Sequence, residues 1–426
     1  IEGSAAVPGL DGSGNVVMRV AAGGDRVAVE VAVGDPDRPT TVWRIFELAP
    51  RQAPHYGGSI AFPEEPIWSR HTAAAIVAGY LFALGPHGIH VVDIRNPSRL
   101  AIVHKIDGSI RAMVVADRHL YVAAHRDDAA SPGDRVQVFD IRDPARPVRV
   151  AEHPLDGGVL ALNRYRDHLL VWMSEHPDPD SQLRLIVLTA DPPTLAEAGN
   201  IVVGGYSWLF SNFTIIGDHV ACLIPNIRLG VQIATYDLRS LPTRLDGDPG
   251  YPPLVEYGAS LMALGENLLV VGDEGVLATL RSSDSGRLER SGFVVTLGFP
   301  HGLASDGRYA YTSDDDGEIW TLDTARQEGV GAVAYVRLSM PDGTGVDTAG
   351  ASLSLERDRL YVASPGAPYW DYDGGNAAVV DVADPMRPAL LAHWRASDER
   401  AVGHGSIASV SSFGPLRFGT RLLVTG

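Results

Sequence analysis

Three histidines and one arginine carry the chemistry most readily open to this chain. His301 and His404 stand in matching His-Gly contexts, PHGLA (300–304) and GHGSI (403–407), and His71 leads into the apolar run that follows it. Neutral imidazoles on converging strands suit a divalent transition metal such as zinc, iron, copper or manganese. The same rings titrate near neutrality and can move protons without a metal. Arg111 would then face an anion or developing negative charge. A histidine at a strand mouth can equally be half-exposed and bonded to a neighbouring loop. Ser352 invites comparison with a hydrolase nucleophile, but no GxSxG elbow accompanies it.

Two loops add further candidates. Asp314, Asp315 and Asp316, followed by Gly317 and Glu318, resemble half of a calcium loop, with Asp314 and Asp316 as the ligands. The alternating register and distant glutamate of a full EF-hand are missing, so a solvated turn is the other reading. Tyr369, Trp370, Asp371, Tyr372 and Asp373 lie on a Gly/Pro-rich arm. Aromatic rings beside carboxylates suit stacking on a sugar or another ring, with the acids taking its hydroxyls or a cation. Their alternative role is to pin the arm to the rim. Trp208, in YSWLFSNF, either faces the same space or fills a gap between sheets.

Composition removes several classes of function. The chain has 426 residues, 45% of them hydrophobic and 20% charged, which is a globular rather than a disordered balance. Its formal charge of −17 repels phosphate backbones, and there is no basic stripe to offset it, so nucleic acid is not an expected partner. No apolar stretch is long enough for a membrane-spanning helix. Cys222 is the sole cysteine, which excludes an intramolecular disulfide, a Cys-rich zinc site and a CxxC pair. Lys105 is the sole lysine among 35 basic residues, leaving 35 − 1 = 34 arginines, and it sits in an ordinary strand context. Nothing reads GxxxxGK[ST], so there is no P-loop.

Placing these residues together requires a repeating architecture. One phrase recurs: an apolar strand, a polar turn, a second apolar strand, a loop, then a strand ending in an acid and a proline. It is clearest from Ala112 to His153, and returns from Ala75 to Lys105 and from Leu353 to Trp394. Weaker copies start near 158, 206, 258 and 301, giving a period of about 40 to 50 residues. Four short antiparallel strands, A to D, at this period predict β-propeller blades. Strand C ends at Asp93, Asp140 or Asp381, whose carboxylate can accept from the free N–H groups of the turn. Pro97, Pro144 and Pro385 then stop the strand.

The segments VVDIRNPSRLAIV, VFDIRDPARPVRV and VVDVADPMRPALL resemble the LVIVD repeat of bacterial β-propeller proteins. With its degenerate copies the resemblance spans nearly the whole chain as a single domain, 1–426. It implies a propeller, often on exported or surface proteins, and almost nothing about a reaction. The resemblance makes a secreted or periplasmic location after signal removal the expectation, with the cytoplasm as the alternative.

Seven units are complete between about 71 and 397. An N-terminal three-strand piece (about 15–50) and a C-terminal hairpin (406–424) are expected to share a closing eighth blade, with a seven-bladed ring as the alternative. The B-to-C loops are long and polar, notably HRDDAASPGDR (125–135) and SPGAPYWDYDGGN (364–376), whereas the A-to-B turns are terse. One face is therefore the expected working face. The starts of the A strands would line its entrance, with His301, Ser352, His404 and His71 on consecutive blades and Arg111 next. The first reading is a small organic or carbohydrate-like ligand bound there. The alternatives are a lyase, cyclase or hydrolase working through the histidines, and a scaffold for another protein.

Overall fold

The computed structural model describes residues 16–33, 40–47, 55–62, 74–85, 87–125, 133–174, 183–191, 194–202, 213–216, 218–226, 230–239, 246–248, 260–264, 267–271, 276–282, 288–295, 300–314, 317–324, 331–338, 352–364, 376–395, 416–418 and 421–423. Apart from turns and one short 3-10 helix, Pro97–Arg99, these residues form strands, nearly all in four-stranded antiparallel sheets that follow one another along the chain. The first holds β1–β4 (Val16–Gly23, Arg26–Val33, Thr40–Glu47, His55–Ala61) and the second β5–β8 (Ala74–Val77, Tyr80–Gly85, Gly88–Asp93, Ala101–Asp107). The third holds β9–β12 (Ile110–Ala116, His119–His125, Asp134–Asp140, Val148–Pro154) and the fourth β13–β16 (Gly158–Tyr165, His168–Ser174, Leu183–Asp191, Thr194–Val202). Next come β17–β20 (Phe213–Ile216, His219–Asn226, Gly230–Asp237, Asp246–Asp248) and β21–β24 (Ser260–Leu264, Asn267–Val271, Val276–Ser282, Leu288–Val295). The last two are β25–β28 (Pro300–Ser305, Tyr309–Asp314, Glu318–Asp323, Gly331–Arg337) and β29–β32 (Ser352–Glu356, Arg359–Ser364, Asn376–Asp381, Ala389–Arg395).

Seven of these sheets, β5 to β32, are the seven units expected from the repeat. The terminal segments differ from expectation. The N-terminal piece completes a four-stranded sheet by itself, and the C-terminal β33 and β34 (Leu416–Phe418, Arg421–Leu423) pair only with each other. Thus the described residues hold eight four-stranded sheets and one two-stranded hairpin, and the termini do not share a sheet. The strand missing from the sequence reading is β4, HYGGSIA, which is glycine-rich and has no buried residue. An outer strand needs backbone pairing but no apolar face, so it carries no hydrophobic period to read. Strand β1 packs on β5 on one side and on β29 and β30 on the other, so the first sheet stands between the second and the last.

First strands neighbour first strands: β9 meets β13, β21 meets β17 and β25, and β25 meets β29. The A strands are therefore innermost, and fourth strands such as β8, β12 and β16 are the exposed outer ones. Strands in the middle of a sheet bury both faces, so they read as continuous apolar runs rather than alternations. In β6, Leu81 and Ala83 join Trp43 and Ile45 of the first sheet, while Phe82 and Leu84 point the other way, into the layer with β9–β11. In β14, Leu170 and Trp172 meet Phe213 and Cys222, and Leu169, Val171 and Met173 face the third sheet. The core is thus a series of apolar layers between sheets. No helix among the described residues is long and apolar enough to cross a membrane.

The end of strand C behaves as the sequence predicts. Asp93, Asp140 and Asp237 accept from the backbone N–H two residues on, at 3.0, 2.9 and 2.8 Å, and Asp381 does the same at 2.9 Å. In the first three the arginine that supplies this N–H, Arg95, Arg142 or Arg239, also folds its guanidinium back onto the carboxylate. These arginine side-chain bonds hold all three carboxyls below their usual range. The A-to-B turns lie at the same end, with positive φ at Ala78, Asp117, Arg166 and Arg357 as primed hairpin turns require. There Tyr165 Oη donates to Asp218 Oδ1 at 2.7 Å across two sheets, and burial together with Asp218 pushes the phenol up to about 12.

Two outcomes follow. Trp172→Ala removes a fully buried indole between the fourth and fifth sheets and is expected to destabilise the protein by about 3–5 kcal/mol in chemical denaturation. Because the folded-state carboxyl pKa values are depressed, their stabilisation is complete above about pH 4, the unfolded value, and is lost as pH falls through the folded values. A variant with Asp93→Asn, Asp140→Asn and Asp237→Asn should show a flatter fall in melting temperature between neutral and acid pH.

Candidate functional site

The structure places the sequence candidates unevenly. His71, His404, Trp208, Asp316 and the arm Tyr369, Trp370, Asp371, Tyr372 and Asp373 lie outside the described residues. The inner-strand position that the repeat reading gives to the His404 segment is filled by β1, because the first sheet supplies all four of its own strands. His301 is the second residue of β25 and Ser352 the first of β29, two inner strands that pack together. Both therefore sit at A-strand starts, as the repeat predicts, and so does Arg111.

Asp314 serves its own loop rather than presenting itself as a calcium ligand. It is fully buried at the end of β26, where Oδ1 accepts from Glu318 N and Oδ2 from Trp320 Nε1, both at 2.8 Å. The acid run therefore begins with a carboxylate that shapes the hairpin. Among the described residues no group of three or more His, Cys, Asp or Glu side chains is placed to hold a metal ion. The sole cysteine, Cys222, is buried, and burial pushes its thiol pKa up, away from a nucleophilic thiolate.

Arg111 belongs to a cluster that the sequence reading did not assemble. In β9, Ala112 pairs with Ala123 and Ile110 with Ala124, leaving Arg111 as the extra residue of a bulge. A bulge re-aims the side chain it carries. Similar register shifts mark the starts of β1, β13 and β25, the last spanning His301. The Arg111 guanidinium reaches Asp134, the first residue of β11, with Nε 3.2 Å from Oδ2. Asp134 is the cross-strand partner of His125, the last residue of β10, and Oδ1 lies 3.0 Å from His125 Nδ1.

One carboxylate thus organises three elements. Besides Arg111 and His125, Asp134 Oδ2 accepts from Val159 N of the next sheet at 2.6 Å. Its backbone N–H donates to Gly157 O, and its carbonyl accepts from Leu155 N, each at 2.9 Å. The side chain is 0% exposed, whereas those of Arg111 and His125 are 33% and 36% exposed. A buried charge is tolerable because imidazole and amide donors hydrogen-bond it and the guanidinium lies beside it at ion-pair distance. A carboxylate only accepts, so the proton of a neutral His125 sits on Nδ1 and the Nε2 lone pair stays open. The bonds to Ser109 O from His125 N and to Gly157 O from Asp134 N put the D-to-A connections and the B-to-C loop on one face. That is the face carrying the elaborated loops.

His125 and Asp134 bracket the loop HRDDAASPGDR, and this was their only trace in the sequence. Their pairing becomes visible once the β10–β11 register is known. Gly133 makes the approach possible. Its φ is +152°, and a Cβ there would lie 2.4 Å from Leu155 O.

With the fold and this geometry established, comparison with known proteins identifies the architecture. No protein-family model and no curated protein matches the chain. Solved structures do match: Sqt1 from Chaetomium thermophilum is 14% identical with a TM-score of 0.58, covering 83% of this chain and 94% of its own. Apo AztD from Citrobacter koseri is 11% identical at TM-score 0.53, covering 85% of this chain and 93% of its own. Saccharomyces cerevisiae Sqt1 is 10% identical at 0.52, covering 90% and 97%. The fold is a β-propeller. At these identities the likeness extends to the fold alone, and the site rests on its own residues.

Gly133→Ala should disturb this cluster from one side. The expected result is a lower melting temperature together with a shifted His125 imidazole signal in NMR spectra, while signals from the fifth sheet stay in place.

Proposed function

We propose that this propeller binds a small organic or carbohydrate-like ligand at the entrance on the face of the long B-to-C loops. The observation that supports this is the Arg111–Asp134–His125 cluster. It combines a fully buried carboxylate with a cation and an imidazole, each about one-third exposed, at the start of an inner strand. Pinning charged side chains so tightly restricts their rotamers, which lowers the entropy lost when a ligand binds them. Among the described residues the terminal nitrogens of Arg111 have no hydrogen-bond or ion-pair partner, which leaves those donors to a ligand oxygen.

Trp208, Ser352, Tyr369, Trp370, Asp371, Tyr372 and Asp373 complete the ligand's surroundings in this reading, stacking on a ring and bonding its hydroxyls. The reading takes the eight sheets as one closed ring, which the packing of β1 between β5 and β29 supports. It also takes the repeat as LVIVD-like and the protein as working outside the cytoplasm. A second reading, a transition metal held by His71, His301 and His404, draws support from the β25 register shift that spans His301. Elemental analysis of the purified protein decides it. A stoichiometric metal lost in His301→Ala supports it, and none bound overturns it.

Ligand-observed NMR of the protein in a mixture of small sugars and organic acids tests the main reading. A bound component should bind roughly ten- to a hundredfold more weakly to Arg111→Ala, the loss expected for one charge-assisted hydrogen bond. Unchanged affinity in a folded Arg111→Ala protein would remove Arg111 from the site.

A further inference from the structure

We infer that Asp134, His125 and Arg111 form a metal-free acid–base unit that hydrolyses a small ester bound at this entrance, with His125 Nε2 as the proton-carrying atom. The inference rests on the ligand-binding reading above and adds a reaction to it. Three observations carry it. The Nδ1 contact to a buried carboxylate at 3.0 Å fixes the tautomer and orients the ring. The imidazole remains 36% exposed, and among the described residues no partner other than Asp134 is recorded for it. The guanidinium lies against the other oxygen of the same carboxylate, with Nε 3.2 Å from Oδ2, and its side chain is one-third exposed. A base, a group that orients it and a donor set for an oxyanion are the parts acyl transfer to water needs.

The step balances with water as the only co-reactant. Nε2 takes a proton from a water molecule as the water oxygen bonds to the acyl carbon. The carbonyl electron pair moves onto its oxygen, where the Arg111 N–H groups stabilise the negative charge. When the carbonyl re-forms, the acyl C–O bond breaks, and Nε2–H returns the proton to the departing alkoxide. Nothing is oxidised or reduced. Asp134 touches neither reactant and is a positioning residue, keeping the proton on Nδ1 and stabilising the imidazolium that forms.

His90 is buried against Phe62 between sheets, with ring centroids 4.4 Å apart, and is inaccessible to a substrate. The exposed apolar side chains Val148, Val202, Tyr335 and Met386 lie scattered over the outer parts of four sheets.

Hydrolysis of p-nitrophenyl acetate by the full chain is the test, with free imidazole at equal concentration as background. The intact protein should exceed that background. His125→Gln, at a part-exposed position, should fold normally and lose roughly a hundredfold in rate. Asp134→Asn should lower the rate and change the pH profile, and Arg111→Lys should lower the rate while leaving the profile in place. A wild-type rate in folded His125→Gln, or no turnover above background in the intact protein, overturns the inference. Neither result touches the ligand-binding reading, which stands or falls on the separate binding measurement with Arg111→Ala.

Discussion

A four-stranded sheet whose middle strands are apolar on both faces exposes two hydrophobic surfaces, and water penalises both. Where the layers are described, a sheet escapes that penalty by packing against its neighbours. Leu81 and Phe82 show the constraint at the level of adjacent residues, because successive side chains on β6 enter different apolar layers. The arrangement leaves little freedom. Inner strands converge, outer strands carry the exposed positions, and hairpin ends are sorted onto two faces.

The two faces are built differently. At the A-to-B end the turns are tight, and the acid closing strand C is locked by its own turn and by an arginine two residues on. Those contacts are local and repeat from sheet to sheet, which identifies them as structural. At the other end the carboxylates are buried individually, and each has its own arrangement. Asp314 accepts from Glu318 and Trp320 of its own hairpin, and Asp134 reaches an inner-strand bulge, a hairpin partner and the next sheet. The second arrangement leaves a cation and an imidazole partly exposed. The difference between a loop-shaping acid and a site-building acid is therefore a matter of which donors surround it.

Burying Asp134 completely also explains why the cluster is rigid. A carboxylate removed from water must keep its donors, so moving Arg111 or His125 away would strand a charge in an apolar layer. The site's geometry is in this way coupled to the packing between the third and fourth sheets, where Val159 supplies both an amide donor and a buried side chain. The cluster is held by the same layer that stabilises the fold.

Much of this was legible in the residues alone. Period-two strands, the recurring acid–proline phrase and glycine-rich turns specify four-stranded antiparallel units, because these signals depend only on neighbours in the chain. Arg111, His301 and Ser352 could be assigned to inner-strand starts for the same reason. The strand at His55–Ala61 could not be read, since exposed backbone pairing leaves no hydrophobic trace. Nor could the union of His125 with Asp134 across a long loop, or the bulge that turns Arg111 toward them. Hairpin register and bulge position are decided by how whole sheets fit against one another. That fit is a property of the assembled layers, and no local stretch of sequence contains it.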